Sequence, residues 1–175
     1  MKFCLSALIV CFWLVCPGAL QAYDITLHNT PVSVYFSPKS GAQQAIVDAI
    51  GQAKETIYVQ AYSFTSAPIA KALVDASRRG VKVEAILDKS QRKATYTGAT
   101  FLKNEGIPVW IDDKHAIAHN KVMIIDGSTV ITGSFNFTKA AEEKNAENLL
   151  IIRDETLAKL YLVNWRQHKE HSEEL

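Results

Sequence analysis

Beyond residue 16 the sequence contains no cysteine; all three of its cysteines, Cys4, Cys11 and Cys16, fall in the first tenth of the chain. A chain relieved of that segment has no thiol, which excludes a thiol nucleophile, a disulfide framework and a cysteine-ligated metal centre. An excess of one charge is also lacking. There are 19 Lys+Arg against 18 Asp+Glu, and with Lys2 set aside the two signs balance at 18 each. Long-range attraction to a polyanion is therefore weak, and contact with one must come from local patches. Glycine (8) and proline (5) are sparse and form no linker, and no segment repeats. Residues 23–175 thus read as one domain, long enough to bury a sizeable core.

The one long apolar run is at the start. Met1-Lys2 precedes an uncharged stretch from Phe3 to Val15, then Pro17-Gly18 and Ala19-Leu20-Gln21-Ala22. A short basic region, an apolar region and small residues before a cleavage point describe a secretory signal over residues 1–22. The run is shorter than the ~20 residues of a membrane span, so the expected location after cleavage is periplasmic or secreted. The lack of charge from residue 3 to 23 keeps an uncleaved anchor as the alternative. Val15 and Pro17 around Cys16 make a poor lipoprotein signal.

Local patterns then alternate. Val32–Phe36, Thr56–Tyr62, Val81–Asp88, Val109–Ile111, Lys121–Ile125, Thr129–Thr132 and Leu149–Ile152 read as strands. Helices are expected from Ser40-Gly41 to Ala53, from Pro68 to Arg79 behind a Ser66 cap, briefly over Ala99–Asn104, from Thr138 to Glu143, and from Glu155 to about His171. Asp126-Gly127 is a tight turn between two strands. The strand–helix–strand unit around residues 56–88 predicts a parallel pair with a crossover helix. The fold class is α/β, with a mixed, largely parallel sheet flanked by helices on both faces.

The most informative run is HNKVMIIDGSTVITGSFN, His119 to Asn136. One residue separates His119 from Lys121. On a strand that spacing puts both on one face and turns Asn120 away. Ser134 and Asn136 follow a hairpin that returns the chain to the same end of the sheet, and Gly133 permits a backbone turn that a Cβ would resist. A neutral imidazole attacks phosphorus or relays a proton, and an ammonium holds phosphate oxygens. Fixed donors around a phosphate stabilise the charge of a pentacovalent transition state. These residues point to phosphodiester chemistry with no metal and no cofactor.

The spacing His119, Lys121, Asp126, Gly133-Ser134, Asn136 resembles the HKD motif of the phospholipase D superfamily. Phe137-Thr138-Lys139-Ala140-Ala141-Glu142 and Asn145-Ala146-Glu147-Asn148 resemble the small bacterial single-motif endonucleases of the Nuc type. Weaker likeness in Ile57–Phe64 and Arg79-Gly80-Val81 extends it over most of residues 23–175. The resemblance implies a phospholipase D-like αβα sandwich and a two-step reaction. His119 would be the nucleophile and form a phosphohistidine. Lys121, Ser134 and Asn136 would bind the phosphate. Glu147 would orient the histidine, and Asp126 would close the motif in a mainly structural role. In-line displacement needs an acid opposite the nucleophile, and the chain has one motif, so two copies of His119 are expected to meet in a C₂ homodimer.

Other residues carry two readings each. Lys89, Arg92 and Lys93, with Tyr96, form either a grip on a phosphate backbone or a solvated loop. Asp88 reads as a turn cap rather than a site residue. His115 and His119 are four apart, but the stretch is strand-like, which disfavours a metal pair. His115 is then a rim residue or a substrate contact, and His28, His168 and His171 are solvated surface. Trp110 and Trp165 are core or interface. No recognition helix or zinc module is visible to read bases. The expected activity is sequence-indifferent cleavage of DNA and of RNA as a second substrate. The rivals are a lipid phosphodiesterase acting on phospholipid head groups and a non-catalytic nucleic-acid-binding module.

Overall fold

The computed structural model describes residues 22–92 and 98–175. The expected leader as far as Gln21, and Lys93 and Tyr96 of the basic loop, lie outside them. In chain order the elements are β1 (Val32–Ser37), α1 (Ala42–Gln52), β2 (Thr56–Ala61), α2 (Ala67–Arg78), β3 (Lys82–Asp88), a 3₁₀ turn (Lys89–Arg92) and α3 (Gly98–Asn104). There follow β4 (Val109–Asp112), β5 (Lys121–Ile125), β6 (Thr129–Gly133), α4 (Lys139–Glu143), β7 (Glu147–Arg153), α5 (Glu155–Glu170) and β8 (Glu173–Glu174). The strands form one sheet in the order β1-β7-β6-β5-β2-β3-β4-β8.

Helices cover both faces, as expected, but the sheet is not largely parallel. Only β2–β3 and β3–β4 run parallel; the other five pairings are antiparallel. A parallel pair needs a crossover of a dozen or more residues. The α2 and α3 segments supply it. The turn between Ile125 and Thr129 does not, so β5 and β6 form a hairpin.

Strand alternation sorts the core into two layers. Ile57, Val59, Val83, Ala85, Met123 and Ile131 face α1, α2 and α3, where Ile46, Ile50, Ile69, Leu73 and Leu102 are fully buried. Ile86, Val122, Ile124 and Val130 face α5 and pack on Ala158 and Trp165. Trp165 closes that layer. Its ring lies 4.8 Å from Tyr58, and its Nε1–H donates to the Val59 carbonyl at 2.9 Å. Truncating such a side chain to alanine costs about 3–5 kcal/mol. Caps fix two helix starts: Ser66 Oγ accepts from Ile69 N, and Asp154 Oδ1 accepts from Leu157 N at 2.8 Å. Among the described residues no helix is long and apolar enough to cross a membrane.

The topology has one consequence for chemistry. The C-terminal ends of β1, β2, β3, β4 and β6 and the N-terminal ends of β5 and β7 all reach the same edge of the layer. His119, Lys121, Ser134, Asn136 and Glu147 lie there.

Candidate active site

His119 sits in the loop that enters β5. Two hydrogen bonds pin this loop to the sheet. Tyr62 N donates to the Asn120 carbonyl at 2.8 Å, and Ala118 N donates to Asp88 Oδ2 at 2.8 Å. Asp88 also accepts from Ser90 N through its other oxygen, so this buried carboxylate is a double cap. The His119 side chain is exposed, and its ring leans on Tyr62 with centroids 4.7 Å apart.

Lys121 opens β5 opposite Ala61 of β2 and is only 6% exposed. Its Nζ donates to the His119 carbonyl at 2.8 Å and lies 5.2 Å from the centre of the Tyr62 ring. Burial pushes the ammonium below its ordinary value, and the Glu147 carboxylate opposes that shift. Tyr62 therefore touches both the imidazole and the ammonium. Sequence reading quoted it without giving it a role; its place at the end of β2, beside β5, was the signal.

Ser134 and Glu147 form a closed unit. Ser134 Oγ donates to Glu147 Oε2 at 2.7 Å and accepts from Asn148 N at 3.0 Å. Asn145 Nδ2 donates to Glu147 Oε1 at 3.1 Å, and Ser37 Oγ accepts from Glu147 N at 3.2 Å. The hydrogen bonds of Glu147 thus go to Ser134 and Asn145, while His119 receives none. The hydroxyl proton of Ser134 is committed to the carboxylate rather than to a phosphate. Asn136 is different: its buried Oδ1 has no hydrogen-bond partner among the described residues. Gly133 makes the approach possible. Its φ is 147°, and a Cβ there would collide with the Asn148 carbonyl oxygen.

Asp126 lies at the far end of β5, in the turn to β6. Its Oδ1 accepts from Glu55 N and Thr56 N at 2.8 and 2.9 Å, and its Oδ2 from Lys54 N at 2.8 Å. Burial works to raise this carboxyl, but the backbone donors win and hold it below the usual range.

The basic loop is not a free phosphate grip in its described part. Lys89 Nζ donates to the His115 carbonyl at 3.0 Å, and Arg92 pairs with Glu173 at 2.7 Å and Asp113 at 3.6 Å. Lys93 lies outside the described residues. His115 turns away from His119, towards Asp112 and His168. The His168 side chain, expected on the solvated surface, is 15% exposed because α5 ends against β4.

Comparison with known proteins agrees with this geometry. Residues 46–168 match the family described as cardiolipin synthase, PLD-like domain. A phospholipase D of Rickettsia bellii is 46% identical over 154 residues, covering 87% of this chain and 77% of the relative. The crystal structure of the phospholipase D family member Nuc from Salmonella typhimurium superposes with a TM-score of 0.79 at 39% identity, covering 84% of this chain and 99% of Nuc. NucT from Helicobacter pylori gives 0.78 at 25% identity, covering 84% and 100%. One sheet end holding His119, Lys121, Ser134, Asn136 and Glu147, on this fold and with these relatives, means that the chain belongs to the phospholipase D superfamily and is a phosphodiesterase with a single HKD domain.

Proposed function

We propose that this phosphodiesterase is an exported endonuclease that hydrolyses DNA, and RNA as a second substrate, with little sequence preference and without a metal in the reaction. The observation that carries the reading is the pairing of an exposed imidazole, whose ring has no hydrogen bond among the described residues, with a buried ammonium two residues on. A neutral ring with an open nitrogen is a nucleophile, and a cation beside it holds the phosphate it attacks. Likeness to Nuc along nearly the whole of that chain supports a nucleic-acid substrate, and the leader pattern of residues 1–22 supports export to the periplasm or beyond.

The reaction runs in two displacements. The imidazole of His119 attacks phosphorus, a P–N bond forms, and the P–O bond to the leaving group breaks. The partner's His119 gives that oxygen a proton. The same partner imidazole then takes a proton from water, whose oxygen attacks phosphorus as the P–N bond breaks. Lys121 and the Asn136 amide stand against the non-bridging oxygens. Glu147, held by Ser134 and Asn145, opposes the effect of burial on the Lys121 ammonium. A single motif per chain supports a homodimer with the site shared between protomers.

One observation favours the second reading, a phospholipid phosphodiesterase. Ile117, two residues before His119, is 57% exposed, and Phe36, beside Asn148 on the neighbouring strand, is 71% exposed. An apolar rim suits a lipid surface, and the Rickettsia relatives are named phospholipase D. Purified protein is incubated with plasmid DNA and with phospholipid vesicles, each in EDTA, alongside His119→Ala. Plasmid cleavage that survives EDTA and disappears in His119→Ala is the expected result. Vesicle hydrolysis alone transfers the assignment to lipid, and plasmid cleavage by His119→Ala ends both readings.

A further inference from the structure

A second polar cluster lies at the same end of the sheet but well away from His119. Asp112 ends β4, His115 follows in the loop, and His168 and His171 end α5. One ligand-type atom from each of the four lies within 4.8 Å of all the others. The Asp112 side chain is fully buried. Its Oδ2 faces three imidazole nitrogens: His168 Nδ1 at 2.7 Å, His115 Nδ1 at 3.1 Å and His171 Nε2 at 3.4 Å. The three rings splay around this point, with centroids 4.9–5.2 Å apart and planes 36–62° from one another.

Hydrogen bonding alone does not account for the arrangement. One carboxylate oxygen offers about two lone-pair directions; His168 Nδ1 and His115 Nδ1 take both and leave none for the third ring nitrogen beside it. The other oxygen is also occupied, by Lys114 N at 3.2 Å and again by His115 Nδ1. The buried Nε2 of His171 has no hydrogen-bond partner among the described residues. A shared cation resolves both problems, since each neutral imidazole then offers a lone pair instead of competing to donate a proton. Four tetrahedral ligands at Zn–N and Zn–O lengths stand about 3.3 Å from one another; the Asp112 oxygen is already 2.7–3.4 Å from the three nitrogens, and all four atoms lie within 4.8 Å.

We infer that Asp112, His115, His168 and His171 form a closed, structural site for a divalent transition ion of the zinc class. Three imidazoles and one carboxylate fill all four tetrahedral positions and leave none open for water, which marks a structural centre rather than a catalytic one. Position agrees. In the sheet order β5-β2-β3-β4, Asp112 is three strand spacings from Lys121, roughly 14 Å, so the ion takes no part in phosphoryl transfer. It joins β4, the end of α5 and the start of the loop whose other end carries His119.

The test uses protein without a polyhistidine tag, stripped by dialysis against a chelator. Zn²⁺ is titrated by calorimetry and Co²⁺ by visible absorption. The inference expects one ion per chain, tetrahedral ligand-field bands from Co²⁺, and a melting temperature raised by Zn²⁺. His168→Gln and His171→Gln each weaken Zn²⁺ binding by about 100-fold or more, and His119→Ala binds as the unaltered chain does. His115→Gln, at the exposed rim, makes the same test if a change at His168 prevents folding. Absence of saturable binding, binding unchanged in the histidine variants, or binding lost in His119→Ala overturns it. None of these readouts depends on which phosphodiester is cleaved.

Discussion

The two ends of β5 hold the two halves of one motif and treat their charges in opposite ways. At one end Lys121 is buried, with the His119 carbonyl as its one hydrogen-bond partner among the described residues, beside an exposed imidazole. At the other end, roughly 17 Å away along a five-residue strand, Asp126 takes three backbone donors and tethers the start of β2 to the β5–β6 turn. The first end keeps hydrogen-bonding capacity unspent for a phosphate. The second spends all of it on the fold. A spacing pattern that looks like one catalytic signature thus divides into the proposed reaction centre and a fastening, coupled only because the strand between them has a fixed length.

The largest expected effect tests the reactive end. Lys121→Met fills the same volume without the charge. Turnover falls about 10²–10³-fold, the range for losing one transition-state donor, while the melting temperature stays near that of the unaltered chain. Steady-state rates and a thermal melt check this; unfolding of the variant would show that the two ends are not separable.

Asp126→Asn tests the other end. It loses about 1.5–3 kcal/mol at neutral pH, the value of hydrogen bonds to an ionised group, with turnover per folded molecule unchanged. The carboxyl is depressed in the folded chain, so its contribution is complete above the unfolded value near ~3.9. It is lost as pH falls through the lower folded value. The gap between the two proteins, read from urea midpoints across that acid range, should therefore close as pH drops. A gap that stays constant with pH would mean that shape, not charge, makes the fastening.

The smallest effect concerns Arg92, whose charge is spent on Glu173 and Asp113. Arg92→Ala should cost under about 1 kcal/mol and, on the proposed nuclease reading, leave the salt dependence of DNA cleavage unaltered. A slope lowered by about 0.9, the mark of one lost phosphate contact, would move Arg92 to the substrate side.

Much of this was readable in advance because it is local. Alternation located seven of the eight strands, Ser66 marked the start of α2, and the HKD spacing selected His119 and Lys121. Strand direction was less legible. The unit around β2 and β3 was read correctly as parallel, but extending that sense across the sheet ignored how short the link between β5 and β6 is. β8 is two residues long and has no pattern of its own. The hydrogen bonds of Ser134 to Glu147 and the convergence of Asp112 with His168 and His171 were also hidden, because the first depends on the β6–β7 register and the second on where α5 packs. The spacing of His168 and His171, three residues apart on a last helical turn, was the one trace of the latter in the chain itself.

β8 is small, yet it changes what the sheet can do. It covers part of the β4 border, and the Leu175 amide adds a further bond to the Val109 carbonyl. Among the described residues the opposite border, β1, has no strand beyond it and presents Val32, Val34 and Phe36 to solvent. Runaway strand addition requires two open borders, one to receive and one to offer. With the other border blunted by a two-residue strand, strand addition at β1 has no equally long second border among the described residues from which to continue.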